Sequence, residues 1–147
     1  MIDVRIIKLS KEVWGFETLG GCQAFFAHVL PWEKYTFDIA GDGAFIAPDG
    51  LDKQELVVFS YDGSLVCIAR AERIIMNNNK VKSIKLVGNS VRVLNNPPKL
   101  KALEEKLQSV GYTKNLVATQ GWNILEKKFE KVTVEFLRDK DWESYLK

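Results

Sequence analysis

The clearest hydrophobic pattern in the chain is a pair of apolar runs separated by a short polar turn. Residues 55–60 and 65–70 are apolar at most positions, and Asp62-Gly63 lies between them. Asp-Gly supplies the positive φ angles of a tight type I′ turn, so the pattern predicts a β-hairpin. Because both arms are apolar on their alternating faces, we expect this hairpin to be covered on both sides.

Shorter apolar runs predict further strands around this hairpin. Gly88 falls between two of them and indicates a bulge or a tight bend. Residues 122–129 fit either a strand or a helix, because Trp122, Leu125 and Phe129 also follow helical spacing. The other predicted strands are residues 4–9, 44–47, 81–86, 90–94, 116–119 and 131–137.

Helical spacing is clear in one segment and weaker in a second. Over residues 97–110, Asn96 can cap a helix, Pro97 suits its first position and Gly111 suits its end. An apolar stripe in this segment indicates a face that packs on the core. The second segment is a short helix over residues 22–30, which Pro31 would end. The stripe consists of Leu100, Leu103, Leu107 and Val110.

Length and composition are those of one compact domain. The chain has 147 residues, of which 46% are hydrophobic and 27% charged, ordinary values for a globular protein. We therefore predict a single domain over residues 1–147, of the α+β class. The expected architecture is mostly antiparallel β, a strongly curved sheet with one or two helices.

Charge is distributed unevenly along the chain. The formal net charge is +2, yet residues 73–103 hold seven basic residues and no Asp or Glu. An electropositive face of this kind attracts polyanions, and phosphate contacts supply affinity without reading sequence. The candidate nucleic-acid-binding residues are Arg73, Lys80, Lys82, Lys85, Arg92, Lys99 and Lys101.

A dense aromatic segment precedes the hairpin. Aromatic side chains beside Gly and Pro positions are suited to stacking on exposed bases, although each could instead belong to the core. The candidates for an aromatic pocket are Trp14, Trp32, Tyr35 and Phe37. Together with the basic window they predict a nucleic-acid-binding module.

Few residues suggest chemistry. Cys22 and His28 are six residues apart, without a third group to orient them, so we expect a core histidine and an inert core cysteine. Two cysteines far apart make neither a disulfide framework nor a zinc motif. We predict no catalytic residue, metal site or cofactor. No apolar run approaches the ~20 residues of a membrane helix, and no signal-peptide pattern is present, so we expect a cytoplasmic protein.

The hairpin also resembles a known family. Val57-Val58-Phe59-Ser60-Tyr61, the Asp62-Gly63 turn and residues 65–71 (Leu-Val-Cys-Ile-Ala-Arg-Ala) are similar to the central hairpin of PUA-like barrels, including the EVE branch. The resemblance covers about a quarter of the chain. It implies a small pseudo-barrel with a helix packed on one side, which binds RNA or holds a modified base flipped out of a duplex in an aromatic pocket.

Two other functions remain open at this stage. The first half of the chain is acidic and the second half basic, so copies could pair in a homo-oligomer or the chain could serve as a protein-interaction module. Alternatively, an aromatic-lined cavity with convergent polar groups would bind a small ligand or a substrate. Candidate polar groups for such a cavity are Glu17, Cys22 and His28.

Overall fold

The computed structural model of this protein describes residues 4–9, 16–38, 55–77, 80–94, 96–113, 115 and 122–138. For a subset of these it describes the backbone alone, among them Arg73, Lys80, Lys82 and Trp122. Trp14 and the predicted strands at 44–47 and 116–119 lie outside the described residues.

The described strands form one open, mixed sheet. Six strands follow the order β2-β5-β4-β3-β1-β7, and the short β6 pairs with β4 beside β5. Only β1 and β3 pair in parallel; all other described pairs are antiparallel. The strands are β1 (Val4–Leu9), β2 (Thr36–Asp38), β3 (Glu55–Tyr61), β4 (Ser64–Asn77), β5 (Lys80–Leu86), β6 (Arg92–Val93) and β7 (Trp122–Leu125).

Helices cover both faces of this sheet. An N-terminal helical segment consists of α1 (Leu19–Ala24), a π-helical turn (Phe25–Val29) and a last α turn (Leu30–Trp32). Helices α2 (Leu100–Gln108) and α3 (Glu130–Arg138) follow the sheet strands. The α+β class is confirmed. The described strands do not close into a pseudo-barrel but form an open sheet. Such a sheet buries both faces when helices lie on each side.

The two faces carry separate apolar cores, as the hairpin pattern predicts. Alternate residues of β3 divide between them: Val57 and Phe59 face the N-terminal helical segment, whereas Leu56 and Val58 face the other side. We call residues 16–37 the N-terminal layer and helices α2 and α3 with the residues around them the C-terminal layer. All four β3 side chains are buried, which places the hairpin at the centre of the fold.

The turns that short Gly-containing segments predict are confirmed. Asp62 and Gly63 have φ angles of 50° and 76°, as a type I′ turn requires. Gly111 has φ of 107° immediately after α2, and Tyr112 N–H donates to Leu107 O at 3.0 Å. The bend at Gly88 is a short 3-10 turn, Gly88–Ser90.

The predicted start of α2 is wrong. The helix begins at Leu100, with Lys99 as N-cap, and not at Asn96-Pro97. The reason is tertiary: Leu100 N–H donates to Gly63 O at 2.7 Å and Leu65 N–H donates to Pro98 O at 2.8 Å. The hairpin turn therefore holds this segment in extended form up to the helix.

The predicted strand at 131–137 is also wrong, because these residues form α3. Its β-branched residues favour a strand locally, but Phe129, Thr133 and Leu137 are spaced one helical turn apart and all are buried. Thr133 Oγ1 donates to Phe129 O at 2.9 Å. Tertiary packing against the sheet outweighs the local propensity.

Candidate functional site

The N-terminal helical segment widens into a π-helical turn just before Pro31. Leu30 N–H donates to Phe25 O, five residues back. In a regular α-helix the ring of Pro31 would clash with the carbonyl of Ala27 and leave it without its usual donor. A π turn at this place accommodates the proline, so the helix continues to Trp32 and does not end at Pro31.

The helix is followed by a turn with an uncommon backbone. Lys34 and Tyr35 have φ angles of 54° and 60°, in the left-handed region that non-glycine residues rarely adopt. Tyr35 N–H donates to Leu30 O at 3.0 Å, and Leu86 N–H donates to Tyr35 O at 2.8 Å. The ammonium of Lys85 donates to the Lys34 carbonyl. Strained backbone of this kind persists only where its surroundings hold it, and it is frequent at binding sites.

The ring of Tyr35 lies directly on Gly88. A Cβ at Gly88 would come within 2.7 Å of Tyr35 Cε2 and 2.9 Å of Cδ2, closer than two carbon atoms can approach. Glycine is therefore required at this position by the contact with the ring, since only a hydrogen fits between the backbone and Tyr35.

The π turn, the left-handed turn and Gly88 border one cavity of about 300 Å³. Its walls come from residues 26–35 on one side and 88–93 on the other. Ligand cavities in proteins have volumes from about 300 Å³ upwards, so this one suits a small planar group. Backbone irregularity is common around binding sites, and here three irregular features meet at the same cavity.

The polar groups of the cavity are donors for an anion or for the edge of a base. They come from His28, Tyr35, Asn89 and Arg92, and no Asp or Glu is among the lining residues that the structure describes. Arg92 Nη1 donates to Asn89 O at 2.7 Å and to Val91 O at 3.1 Å, which fixes the guanidinium at the cavity. The cavity is thus basic and aromatic in character.

Trp32 directly follows Pro31, a lining residue of this cavity, and has 88% of its surface exposed. It is one helical turn after His28, which also lines the cavity. An indole this exposed stabilises no core, since a buried position would leave almost none of it in water.

The other aromatic candidates divide between wall and core. Tyr35 is half-buried and lines the cavity. Phe37 is only 1% exposed and stacks on Phe26, with ring centroids 5.7 Å apart and planes 7° apart. It contributes to the core under the cavity and leaves no ring surface for a ligand.

Much of the basic window, residues 80–99, lies along one edge of β4. Over about 40 Å of strand these residues are antiparallel to residues 64–77. Arg92 lines the cavity and Lys85 reaches the adjoining turn, whereas Lys99 lies at the hairpin end, where its Nζ is 3.4 Å from Ser64 Oγ. Lys101 is exposed on α2. Of the four described basic side chains, the structure thus brings Arg92 to the cavity and Lys85 to the turn that borders it.

The two thiols are core groups, as predicted, but His28 is not. Cys22 and Cys67 are fully buried, and burial raises the pKa of Cys22 to about 12 and raises that of Cys67 as well. The prediction of a core histidine is wrong, because His28 is exposed at the cavity. His28 lies two residues after the buried Phe26, and positions two apart point to nearly opposite faces of a helix.

Sequence reasoning named His28 only as a polar group of an alternative small-ligand cavity, and it missed Gly88 as part of the site. Gly88 gave a bend signal but no indication of its contact with Tyr35. Pro31 inside a helical pattern was the only local sign of an irregular helix. The described residues contain no group of three or more His, Cys, Asp or Glu placed to hold a metal ion. None of the described helices has the length and apolar character needed to cross a bilayer.

Comparison of the chain with models of protein families, with curated proteins and with solved structures finds no match.

Proposed function

We propose that this protein binds unpaired nucleic acid, RNA or DNA with a modified base, by taking one base into the cavity and stacking its neighbour on Trp32. The observation that carries the proposal is the 88% exposure of Trp32, which directly follows the lining residue Pro31, together with an aromatic cavity whose charged lining residue is Arg92. Single-stranded nucleic acids are bound by this combination of stacking platform and cation.

The dimensions and donors of the cavity support a single base as the occupant. A base is planar, and the cavity volume of about 300 Å³ is at the lower end for ligand sites. Tyr35 offers a ring, and Asn89, His28 and Arg92 offer polar groups for a base edge or a phosphate. The resemblance of the hairpin to PUA-like domains points to the same class of ligand and stays a prediction.

The charge along β4 supports a path for the phosphate backbone. Residues 80–99 follow this strand from its far end to the hairpin, with Arg92 at the cavity. Lysines and arginines along one strand edge attract a polyanion without selecting its sequence. Affinity for nucleic acid should therefore fall as salt is raised.

The test is fluorescence anisotropy with labelled single strands of about ten nucleotides, RNA and DNA, at about 50 and 200 mM salt. Stacking contributes about 1–3 kcal/mol per base, so Trp32→Ala should weaken binding about 5- to 150-fold while Trp32→Phe keeps most of it. Val110→Ala is the matched control, because Val110 is 48% exposed in the other layer. An affinity that does not change with salt concentration would contradict the proposal, and so would native affinity in Trp32→Ala.

The cavity itself favours a second candidate, a free nucleotide or a similar planar anion. Its polar lining residues border one half-open volume, as in small-ligand sites. Calorimetry with nucleoside monophosphates separates the two functions. Binding of a monophosphate as tight as that of the oligonucleotide would favour the free ligand, since backbone contacts along β4 would then add nothing.

A further inference from the structure

We propose that Lys85 is a positioning residue, which serves the cavity by holding Tyr35 in place and not by contacting phosphate. Its ammonium donates to the carbonyl of Lys34, and the Lys34–Tyr35 turn places the Tyr35 ring on Gly88. The role in ligand binding rests on the function proposed above. The role in placing the ring does not.

The turn needs such support because its conformation is unfavourable by itself. Lys34 and Tyr35 are consecutive left-handed residues, and neither is Gly, Asn or Asp. Four hydrogen bonds hold them: Lys34 N–H to Pro31 O, Tyr35 N–H to Leu30 O, Leu86 N–H to Tyr35 O, and the Lys85 ammonium to Lys34 O. Two of the four are donated by neighbouring residues of β5, so this strand helps to fix the turn.

Without its contact to the turn, the ammonium of Lys85 would be free to meet a polyanion. It is half-buried, and its ammonium lies against a backbone carbonyl. A lysine that contacts phosphate is typically solvated and exchanges counterions for the ligand. Lys101, by contrast, is exposed.

Gly88 contacts the ring that the turn positions. The Tyr35 ring lies so close to the Gly88 backbone that a methyl group would displace the ring. Lys85 therefore acts on the backbone of the turn and Gly88 on the ring, and Tyr35 is one wall of the cavity.

The closing experiment measures the ring position directly by NMR. A ring in contact with Gly88 moves the Gly88 Hα resonances away from ordinary glycine values through its ring current, and this signal requires no ligand. Lys85→Met, which keeps the apolar stem and removes the ammonium, should move these resonances back towards ordinary glycine values. Lys101→Met should leave them unchanged.

Oligonucleotide binding by the same variants supplies the second readout. We expect Lys85→Met to weaken binding on the order of tenfold, because one stacking wall of the cavity is then poorly placed. The slope of log affinity against log salt concentration should stay that of the native protein. A phosphate contact would instead lower that slope by about one. Unchanged Gly88 resonances in Lys85→Met overturn the proposal, and so does a lowered slope. If no oligonucleotide binds the native protein, the proposed function fails while the Gly88 resonances still decide the role of Lys85.

Discussion

The two layers that cover the sheet are built differently, although each buries one face of the same strands. In the N-terminal layer the helix contains a π turn and is followed by two left-handed residues, Lys34 and Tyr35. In the C-terminal layer α2 and α3 are regular nine-residue helices with apolar faces. An ion pair between Arg70 of β4 and Glu130 of α3 joins the second layer to the sheet.

The difference separates a regular, buried layer from the layer that holds the proposed binding site. Leu100, Leu103 and Leu107 of α2 are essentially inaccessible to solvent. The N-terminal layer buries Phe26 and Phe37 equally well, yet leaves Trp32 and His28 in water. Its π turn carries both the buried Phe26 and the exposed His28.

The sharpest test of this contrast removes core volume from the C-terminal layer. Leu103→Ala should lower the free energy of unfolding by about 2–5 kcal/mol, because Leu103 is fully buried and its loss leaves a cavity. Urea denaturation measures this loss. Binding per folded molecule should stay at the native level, and a matching loss of affinity would show that the two layers are not separable. Val110→Ala, half-exposed, should change stability by less than about 0.5 kcal/mol.

Alanine substitutions at two glycines should lower stability by similar amounts but differ in their effect on binding. Gly88→Ala forces the Tyr35 ring aside, and Gly111→Ala places a side chain at φ of 107° with open space around it. Each should destabilise by about 1–3 kcal/mol, the first by overpacking and the second by backbone strain. Only Gly88→Ala should weaken ligand binding. Equal binding by both variants would contradict a role for the Tyr35–Gly88 contact.

The buried thiol of the N-terminal layer gives a pH dependence. Burial raises the pKa of Cys22 from 9.0 to about 12, so above about pH 9 the unfolded chain loses a proton that the folded protein keeps. Stability should therefore fall between about pH 9 and pH 12, by at most about 1.4 kcal/mol per pH unit for this thiol. Thermal melts at graded pH should show a shallower fall of the melting temperature in Cys22→Ala. An identical slope would contradict the assignment of this pH dependence to Cys22.

A small change in stability is expected at Pro31. Pro31→Ala restores an N–H that can bond to Ala27 O, and we expect the π turn to relax towards a regular helix. Stability should change by less than about 1 kcal/mol, because a strained turn is lost while a helical hydrogen bond is gained. NMR amide shifts over residues 25–31 report the helix type. A π turn that persists in this variant would show that packing, and not proline, produces it.

Local patterns predicted the elements whose signals act over a few residues. Asp62-Gly63 predicted the hairpin, and Gly111 predicted the end of α2. The same kind of reasoning was wrong for residues 131–137, where β-branched residues suggested a strand and the sheet face required a helix. It was also wrong for Asn96, because contacts with the hairpin turn delay the start of α2.

The candidate site followed from sequence only in part. Trp32, Tyr35 and Arg92 were named from their residue types, and all three lie at or beside the cavity. His28 was assigned to the core, because its neighbours are apolar and the π turn that exposes it has no reliable local signature. For Lys85, residue type predicted a phosphate contact, and the hydrogen bond to Lys34 is a contact between distant segments that no local pattern encodes.

By itself the sequence determined an α+β chain with a doubly buried hairpin and a basic stretch, because apolar periodicity and turn residues act on the nearest few positions. Tertiary structure alone decided that the sheet is open, that Phe37 is core while Trp32 is exposed, and that residues 26–35 meet residues 88–93 around one cavity. Those outcomes depend on which distant surfaces pack together, and the free energy of that packing is set by the whole fold.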